Sequence, residues 1–270
     1  MLTNRRIGAI WDAMHSPLRT AIPIETLLLA YRSGIFPMAD KREDQDIFWV
    51  EPRDRAILPL EGFHMSKSLR KTVRSDSYVV TLDTAFEDVV HACAAPRPGH
   101  PETWISDRII RSYAALHEAG HAHSVECWRA IESEGEHGGD DLELVGGLYG
   151  VSFDRVFCGE SMFSRADNAS KVALTWLVAM MKRAGFRLLD CQFMTDHLAS
   201  LGAMEMPQRQ YMQRLEKARG RTRMSLKDSY TAFTREADQP SSEGASSEGK
   251  DGSGASSPGK RIAQSLTQTS

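Results

Sequence analysis

The sequence predicts an α/β (α+β) fold: a small β-containing lobe followed by a larger mixed domain. Three segments carry this reading. GGLYGVSFDRVFCGESMFSR, from Gly146, reads as two strands turning at Asp154-Arg155. DNASKVALTWLVAMMKRAGF then places apolar residues at the spacing of an amphipathic helix over 171–184, with Gly185 as its stop. RLLDCQF follows as a short strand bounded by charge. Strands that alternate with a helix of this length imply a sheet covered by helices.

The other elements follow in chain order. Residues 24–33 set Ile24, Leu27, Leu28 and Tyr31 at helical spacing, with Pro23 at the start and Gly34 at the stop. GIFPMADKREDQDIFWVEPRDRAILPL is rich in Pro and charge and holds only short apolar runs. It marks an irregular β-containing lobe that ends near Gly62. Residues 66–74 read as a short basic helix, YVVTLDT as a strand and TAFEDVVHACAA as a helix. Ser106 is a natural N-cap for a helix carrying Ile109, Ile110, Tyr113 and Leu116, stopped by Gly120. HSVECWRAI is a strand, and EGEHGGDD a turn or flexible insertion. From Glu236 the chain shifts to Ser, Gly, Lys and Gln, too polar to offset chain entropy. The expected division is 1–62, a small N-terminal domain; 63–235, a catalytic domain; and 236–270, a disordered tail without chemistry.

Bulk properties exclude several classes. The 270 residues are 41% hydrophobic and 26% charged, with a net charge of −3. That suits an ordinary globular core and leaves nucleic acid to be met by a local basic patch. Cys93, Cys127, Cys158 and Cys191 form no C-x-x-C pair, which argues against a disulfide framework or a cysteine zinc site. The N-terminus has no signal-like apolar region, and no window reaches the roughly 18 apolar residues of a membrane span. These features point to the cytoplasm and to no membrane partner.

Candidate chemistry concentrates on the last strand. Asp190 and Gln192 flank Cys191, so period-two alternation points both to one face, expected to look outward. Cys191, opposite them, reads as packing rather than a nucleophile, as does Cys158. Glu160 lies in the apolar run FCGESMF, where an acid needs a partner or a purpose. Ser161, Ser164, Asn168, Ser170 and Lys171 surround the helix entry and offer either anion binding or simple capping. His117-Glu118-Ala119-Gly120-His121 matches H-E-x-x-H, but Gly120 should end the helix and take His121 off the face of His117. No metal is expected there. Arg53, Arg55, Lys67, Arg70, Lys71 and Arg74 form a basic set, with Trp49 and Trp104 as flat surfaces for a base. Taken alone, the charges more often mark a solvated helix face and each tryptophan a core position.

Taken together, GGLYG, VFCGESMFSR, D-x-ASK-x-AL and LLDCQ…T-x-HLASLGA closely resemble the bacterial leucyl/phenylalanyl-tRNA–protein transferase family. YRSGIFPM, FWVEPRDRAILPL, FHMSKSLRKT and HEAGHAHSVECW extend the resemblance from about residue 30 to 211. The resemblance implies a GNAT-like acyltransferase domain that needs no cofactor and no metal. It implies transfer of Leu or Phe, and less well Met, from Leu-tRNA, Phe-tRNA or Met-tRNA to the α-amine of proteins with N-terminal Arg or Lys. The product would be an N-terminal degradation signal. By position, Asp190 and Gln192 would act around the attacking amine. Leu148, Phe157, Leu174, Leu177 and Leu189 would line the pocket for the aminoacyl side chain, with Glu160 at its polar end, and Trp49 and Trp104 would hold the terminal adenosine.

The competing classes are a GNAT acetyltransferase using acetyl-CoA and a non-catalytic tRNA-binding protein. The first expects a glycine-rich pyrophosphate loop where this chain has SRADNAS. The second leaves the apolar pocket and the D-x-Q pair without a use.

Overall fold

The computed structural model describes residues 20–44, 46–96, 102–131, 141–238 and 256–267. All but the last residue of the expected insertion at EGEHGGDD, and most of the expected tail, lie outside these residues.

In chain order the elements begin with α1 (Ile24–Arg32), β1 (Phe36–Met38), β2 (Phe48–Val50), β3 (Asp54–Leu58) and α2 (Lys67–Arg74). The middle of the chain forms β4 (Val79–Leu82), α3 (Phe86–Ala94), α4 (Asp107–Glu118), β5 (Ala122–Ala130), β6 (Leu142–Phe153) and β7 (Val156–Ser164). Then come α5 (Ala169–Ala184), β8 (Leu188–Gln192), α6 (Asp196–Ala199), β9 (Met204–Pro207), α7 (Gln208–Lys217), α8 (Leu226–Asp238) and α9 (Pro258–Ser265). Local sequence accounts for many boundaries. Ser66 caps α2, its Oγ accepting the Leu69 N–H at 3.2 Å. Gly185, at φ 83°, ends α5 in the left-handed conformation that glycine adopts without strain.

β1 and β2 form a small two-stranded sheet. The large sheet has seven strands in the order β4-β5-β6-β7-β8-β3-β9. Its pairs are antiparallel except β7–β8, which run parallel because α5 carries the chain between them. Alternation along β6 and β7 divides the core: Tyr149 and Cys158 pack on one face with Tyr31, Val89, Tyr113 and Tyr211. Leu148 and Phe157 pack on the other with Leu69, Leu174, Leu177 and Ile262. The result is a mixed α/β molecule with helices on both faces of one sheet. At Gly146 an added Cβ would lie 2.5 Å from Ala169 Cβ, so the glycine lets β6 approach the first turn of α5.

Three expectations are corrected here. Arg55 and its neighbours in β3, expected within the N-terminal lobe, sit inside the large sheet between β8 and β9. α5 is not a surface helix with one apolar stripe: all of it except Lys171, Lys182 and Arg183 is buried, because helices cover its back. The tail is not devoid of structure, since α9 buries Ile262 and Ala263 against the same core.

Candidate active site

The site exists because two strands part. β7 and β8 pair at Val156–Leu188, Phe157–Leu189 and Cys158–Asp190, and no further. β7 nevertheless runs on to Ser164 and β8 to Gln192. Beyond Cys158 the sheet opens, and a cavity of about 620 Å³ fills the gap. Because it passes through the sheet, residues from both faces line it. Leu148, Leu174, Leu177 and Leu189 come from the α5 side; Tyr149, Glu160, Gln192 and Trp104 complete it. One part is therefore apolar and another carries a carboxylate and an amide.

Glu160 is 8% exposed and receives three hydrogen bonds. Tyr31 donates to Oε1 at 2.8 Å, Tyr113 to Oε2 at 2.8 Å, and Gln192 Nε2 to Oε1 at 3.0 Å. The two phenol oxygens are also 2.6 Å apart. The three contacts among Glu160, Tyr31 and Tyr113 have only two hydroxyl protons if Glu160 is ionised, and three if it is protonated. A protonated Glu160 completes the ring. Burial pushes its carboxyl up to about 7, against the pull of the three donors. Burial and the Glu160 charge hold both tyrosines well above their ordinary value, so they stay neutral.

Gln192 sits at φ 62°, a left-handed backbone for a non-glycine residue. Asp190 enforces it: Oδ1 accepts the Gln192 backbone N–H at 2.9 Å. With Nε2 committed to Glu160, the Gln192 side-chain carbonyl has no hydrogen bond among the described residues.

Asp190 lies behind the cavity, fully buried, in a clamp. Arg55 Nε donates to Oδ1 at 2.8 Å and Nη2 to Oδ2 at 2.5 Å. Tyr211 donates to Oδ2 at 2.9 Å. The guanidinium is itself stacked between the rings of Phe36, 4.8 Å away, and Tyr211, 4.5 Å away. Burial alone would lower the Arg55 pKa; the charge and hydrogen bonds of Asp190 outweigh it and raise it.

The family model for leucyl/phenylalanyl-tRNA protein transferase matches residues 57–216, and that for the N-terminal domain of the same family matches 21–53. A relative from Novosphingobium aromaticivorans, named leucyl/phenylalanyl-tRNA–protein transferase, is 54% identical over 271 residues, covering 93% of this chain and 97% of its own. The chain belongs to the leucyl/phenylalanyl-tRNA–protein transferase family. Relatives of the same name from Rhizorhabdus wittichii and Zymomonas mobilis are 56% and 53% identical, covering 74% and 71% of this chain and 76% and 68% of theirs. Among solved structures, FemX aligns with a TM-score of 0.45 at 12% identity, over 68% of this chain and 66% of that one. That is below the level at which a shared fold follows.

Within this transferase-family chain, the candidate residues divide. The cavity brings together Trp104, Leu148, Glu160, Leu174, Leu177, Leu189 and Gln192. Phe157 is not in the lining; it packs in the core beneath α5. Trp49 is not in the lining either. It pairs with Pro37 on β2, beside Met38, which does line the cavity. The D-x-Q pair does not face outward: Asp190 is 0% and Gln192 5% exposed, both engaging the core that holds Tyr31, Tyr113 and Tyr211, while Cys191 packs on the other face. Cys191 lines the cavity instead of being sealed in the core; burial, with the Asp190 charge, raises its thiol far above the ordinary range.

Arg55, expected among surface cations, is the buried counter-ion of Asp190. Tyr31, Tyr113 and Tyr211 had no sequence signal beyond helical spacing. At the H-E-x-x-H match, α4 ends at Glu118 and Gly120 has φ 77°. The His117 ring stacks on Phe86 at 4.2 Å, and His123 bridges Asp83 at 2.8 Å and Ser152 at 3.1 Å across three strands. Among the described residues no cluster is suited to hold a metal, and no helix is long and apolar enough to cross a membrane.

Proposed function

We propose that this protein moves a leucyl or phenylalanyl group, and less well a methionyl group, from aminoacyl-tRNA to the α-amine of proteins beginning with Arg or Lys. The observation that carries the reading is the divided cavity: a leucine-lined compartment for an apolar side chain opens onto Glu160 and Gln192. Its volume is in the range of small-ligand sites. Trp104 offers a face for the terminal adenine, with Trp49 on the strand beside Met38.

The chemistry needs no activation, since the donor is already an ester. The incoming α-amine, of pKa about 7.7–8.0, attacks in its neutral form. A C–N bond forms, the C–O bond to the ribose breaks, and the departing ribose oxygen keeps the electron pair and takes up a proton. The Gln192 carbonyl accepts one amine N–H and fixes its approach. Glu160, whose pKa of about 7 is close to that of the amine, receives the proton that the amine sheds. Asp190 does not touch the reacting atoms in this scheme; it positions Gln192 through the backbone N–H. The Arg55 clamp holds Asp190 in turn. The phosphates of the donor run along the exposed cations of α2: Lys67, Arg70, Lys71 and Arg74. The product would carry a new N-terminal degradation signal in the cytoplasm.

The test is incubation with labelled Leu-tRNA and peptides beginning with Arg, Lys or Ala. Label on the first two alone supports the reading; label on none, or on all three equally, overturns it.

A further inference from the structure

The helix α9 has no place in the transfer chemistry, yet it is firmly seated. Pro258 begins it, and Ile262 and Ala263 are buried between α2 and α8. Its first turn touches the backbone of α2 directly. Gly259 donates its N–H to Asp76 Oδ1 at 2.8 Å. A Cβ there would stand 1.9 Å from the Val73 carbonyl oxygen, so only glycine permits the contact. That seat uses Asp76, the nearby carboxylate.

Between the two helices lies a cleft of about 290 Å³, lined by Arg70, Arg74, Ser256, Lys260, Gln264 and Thr267, with Ala263 at its base. Arg70 and Arg74 come from α2 and Lys260 from α9, so cations stand on both walls. No carboxylate lines it. The three cations are exposed and make no ion pair among the described residues. Three converging positive charges with hydroxyl and amide donors between them match a phosphodiester, whose oxygens are charged acceptors on every side. A second basic hollow on α2 is lined by Lys67, Arg70, Lys71, Arg74 and Ser75, so Arg70 and Arg74 border both. Tyr78, just past α2, donates to the Asp167 carbonyl at 2.8 Å, in the loop that opens α5 beside the cavity lining.

We propose that α9 folds back onto α2 to complete a phosphodiester-binding cleft, with Lys260 as the cation it adds, and that the RNA backbone of the aminoacyl-tRNA donor occupies it. This rests on the proposed donor. Ser257–Thr267 is then a working part of the donor site rather than a spacer.

The test uses the full-length protein with Lys260→Ala and Gly259→Val, the second of which displaces α9 as a whole. Affinity for aminoacyl-tRNA is measured against salt concentration, and KM is measured for a phosphate-free donor, leucyl-adenosine. The expected result is tRNA binding weakened roughly three- to tenfold in Lys260→Ala, with the log–log salt slope reduced by about one. Gly259→Val should lose at least as much, and the leucyl-adenosine KM should match the wild type in Lys260→Ala. Unchanged tRNA affinity and slope in both variants overturns the proposal. So does competition by millimolar inorganic phosphate that Lys260→Ala abolishes without any change in tRNA binding, which would mark an inorganic-anion site. Failure of the wild type to use either donor would instead remove the proposed function, leaving Lys260-dependent tRNA binding as a separate observable.

Discussion

Glu160 is a carboxyl group buried among two phenols and an amide, and in the proposed mechanism its proton bears on both chemistry and stability. Its folded pKa, about 7, lies above its ordinary value of 4.5. Between those two pH values the folded chain holds a proton that the unfolded chain has lost. Stability from this residue is therefore fully present below about pH 4.5 and lost as pH rises through 7. The shift corresponds to something on the order of 3 kcal/mol. Glu160→Gln keeps the Gln192 contact and a neutral partner for the phenols. It should flatten the pH dependence of urea unfolding across that window, and a dependence identical to wild type would contradict the assignment. The same variant cannot take the amine's proton. Single-turnover transfer should fall by about 100-fold or more, and the acid limb near pH 7 should disappear.

Asp190 behaves differently, because its partner is a buried cation. Asp190→Ala leaves Arg55 without a counter-ion and should cost about 3–5 kcal/mol in thermal or urea unfolding. The double change Arg55→Met with Asp190→Leu should recover much of that stability. It should not recover transfer, because nothing then holds the Gln192 backbone at its positive φ. Recovery of both would show that the clamp has no part in positioning.

Among the elements, the parting of β7 from β8 decides what the site can bind. Gly159 lies at the first unpaired level of β7 and lines the cavity. A Cβ added there would be in ordinary contact with the Asp190 carbonyl oxygen at 3.5 Å, so a side chain is accommodated at the cavity wall. Leu177, on α5, sets the depth of the apolar compartment. Leu177→Phe should shorten it and shift the kcat/KM ratio toward leucine over phenylalanine by about tenfold, within the roughly 1–3 kcal/mol that pocket shape commands. An unchanged ratio would place the side-chain pocket elsewhere.

These elements also show what the sequence makes legible. The hairpin at Asp154-Arg155, the helix stop at Gly185 and the strand LLDCQ are local signals, and each element is where those signals put it. Most of the apolar lining was legible too, because long ordered motifs carried it. What was not legible depends on tertiary context. A basic residue on β3 reads as surface charge until β8 supplies a buried carboxylate beside it. Alternation predicts one face for Asp190 and Gln192, and they share it, but it is an interior face rather than an outward one. Phe157 reads as pocket lining until packing places it in the core beneath α5.

On the scale of the molecule, one seven-stranded sheet separates two cores and is pierced at a single seam by the cavity. The polar groups proposed for catalysis belong to the core around Tyr31, Tyr113 and Tyr211, whereas the proposed side-chain compartment belongs to the core beneath α5. The cationic surface of α2 and α9 rests on that second core. In the proposed scheme, donor binding and amine chemistry are thus built from different sides of the sheet. Changes on the α2–α9 surface should act on KM and salt dependence, and changes at Glu160 on kcat and pH dependence.

The most direct test of the cavity as the transfer site is single-turnover transfer of labelled leucine from Leu-tRNA to an Arg-initiated peptide, comparing the wild type with Gly159→Val. The wild type should transfer label. Gly159→Val, checked for wild-type circular dichroism and tRNA affinity, should transfer at least about tenfold more slowly, because its side chain occupies the leucyl compartment. Equal transfer by the two proteins, or no transfer by the wild type, would contradict the account.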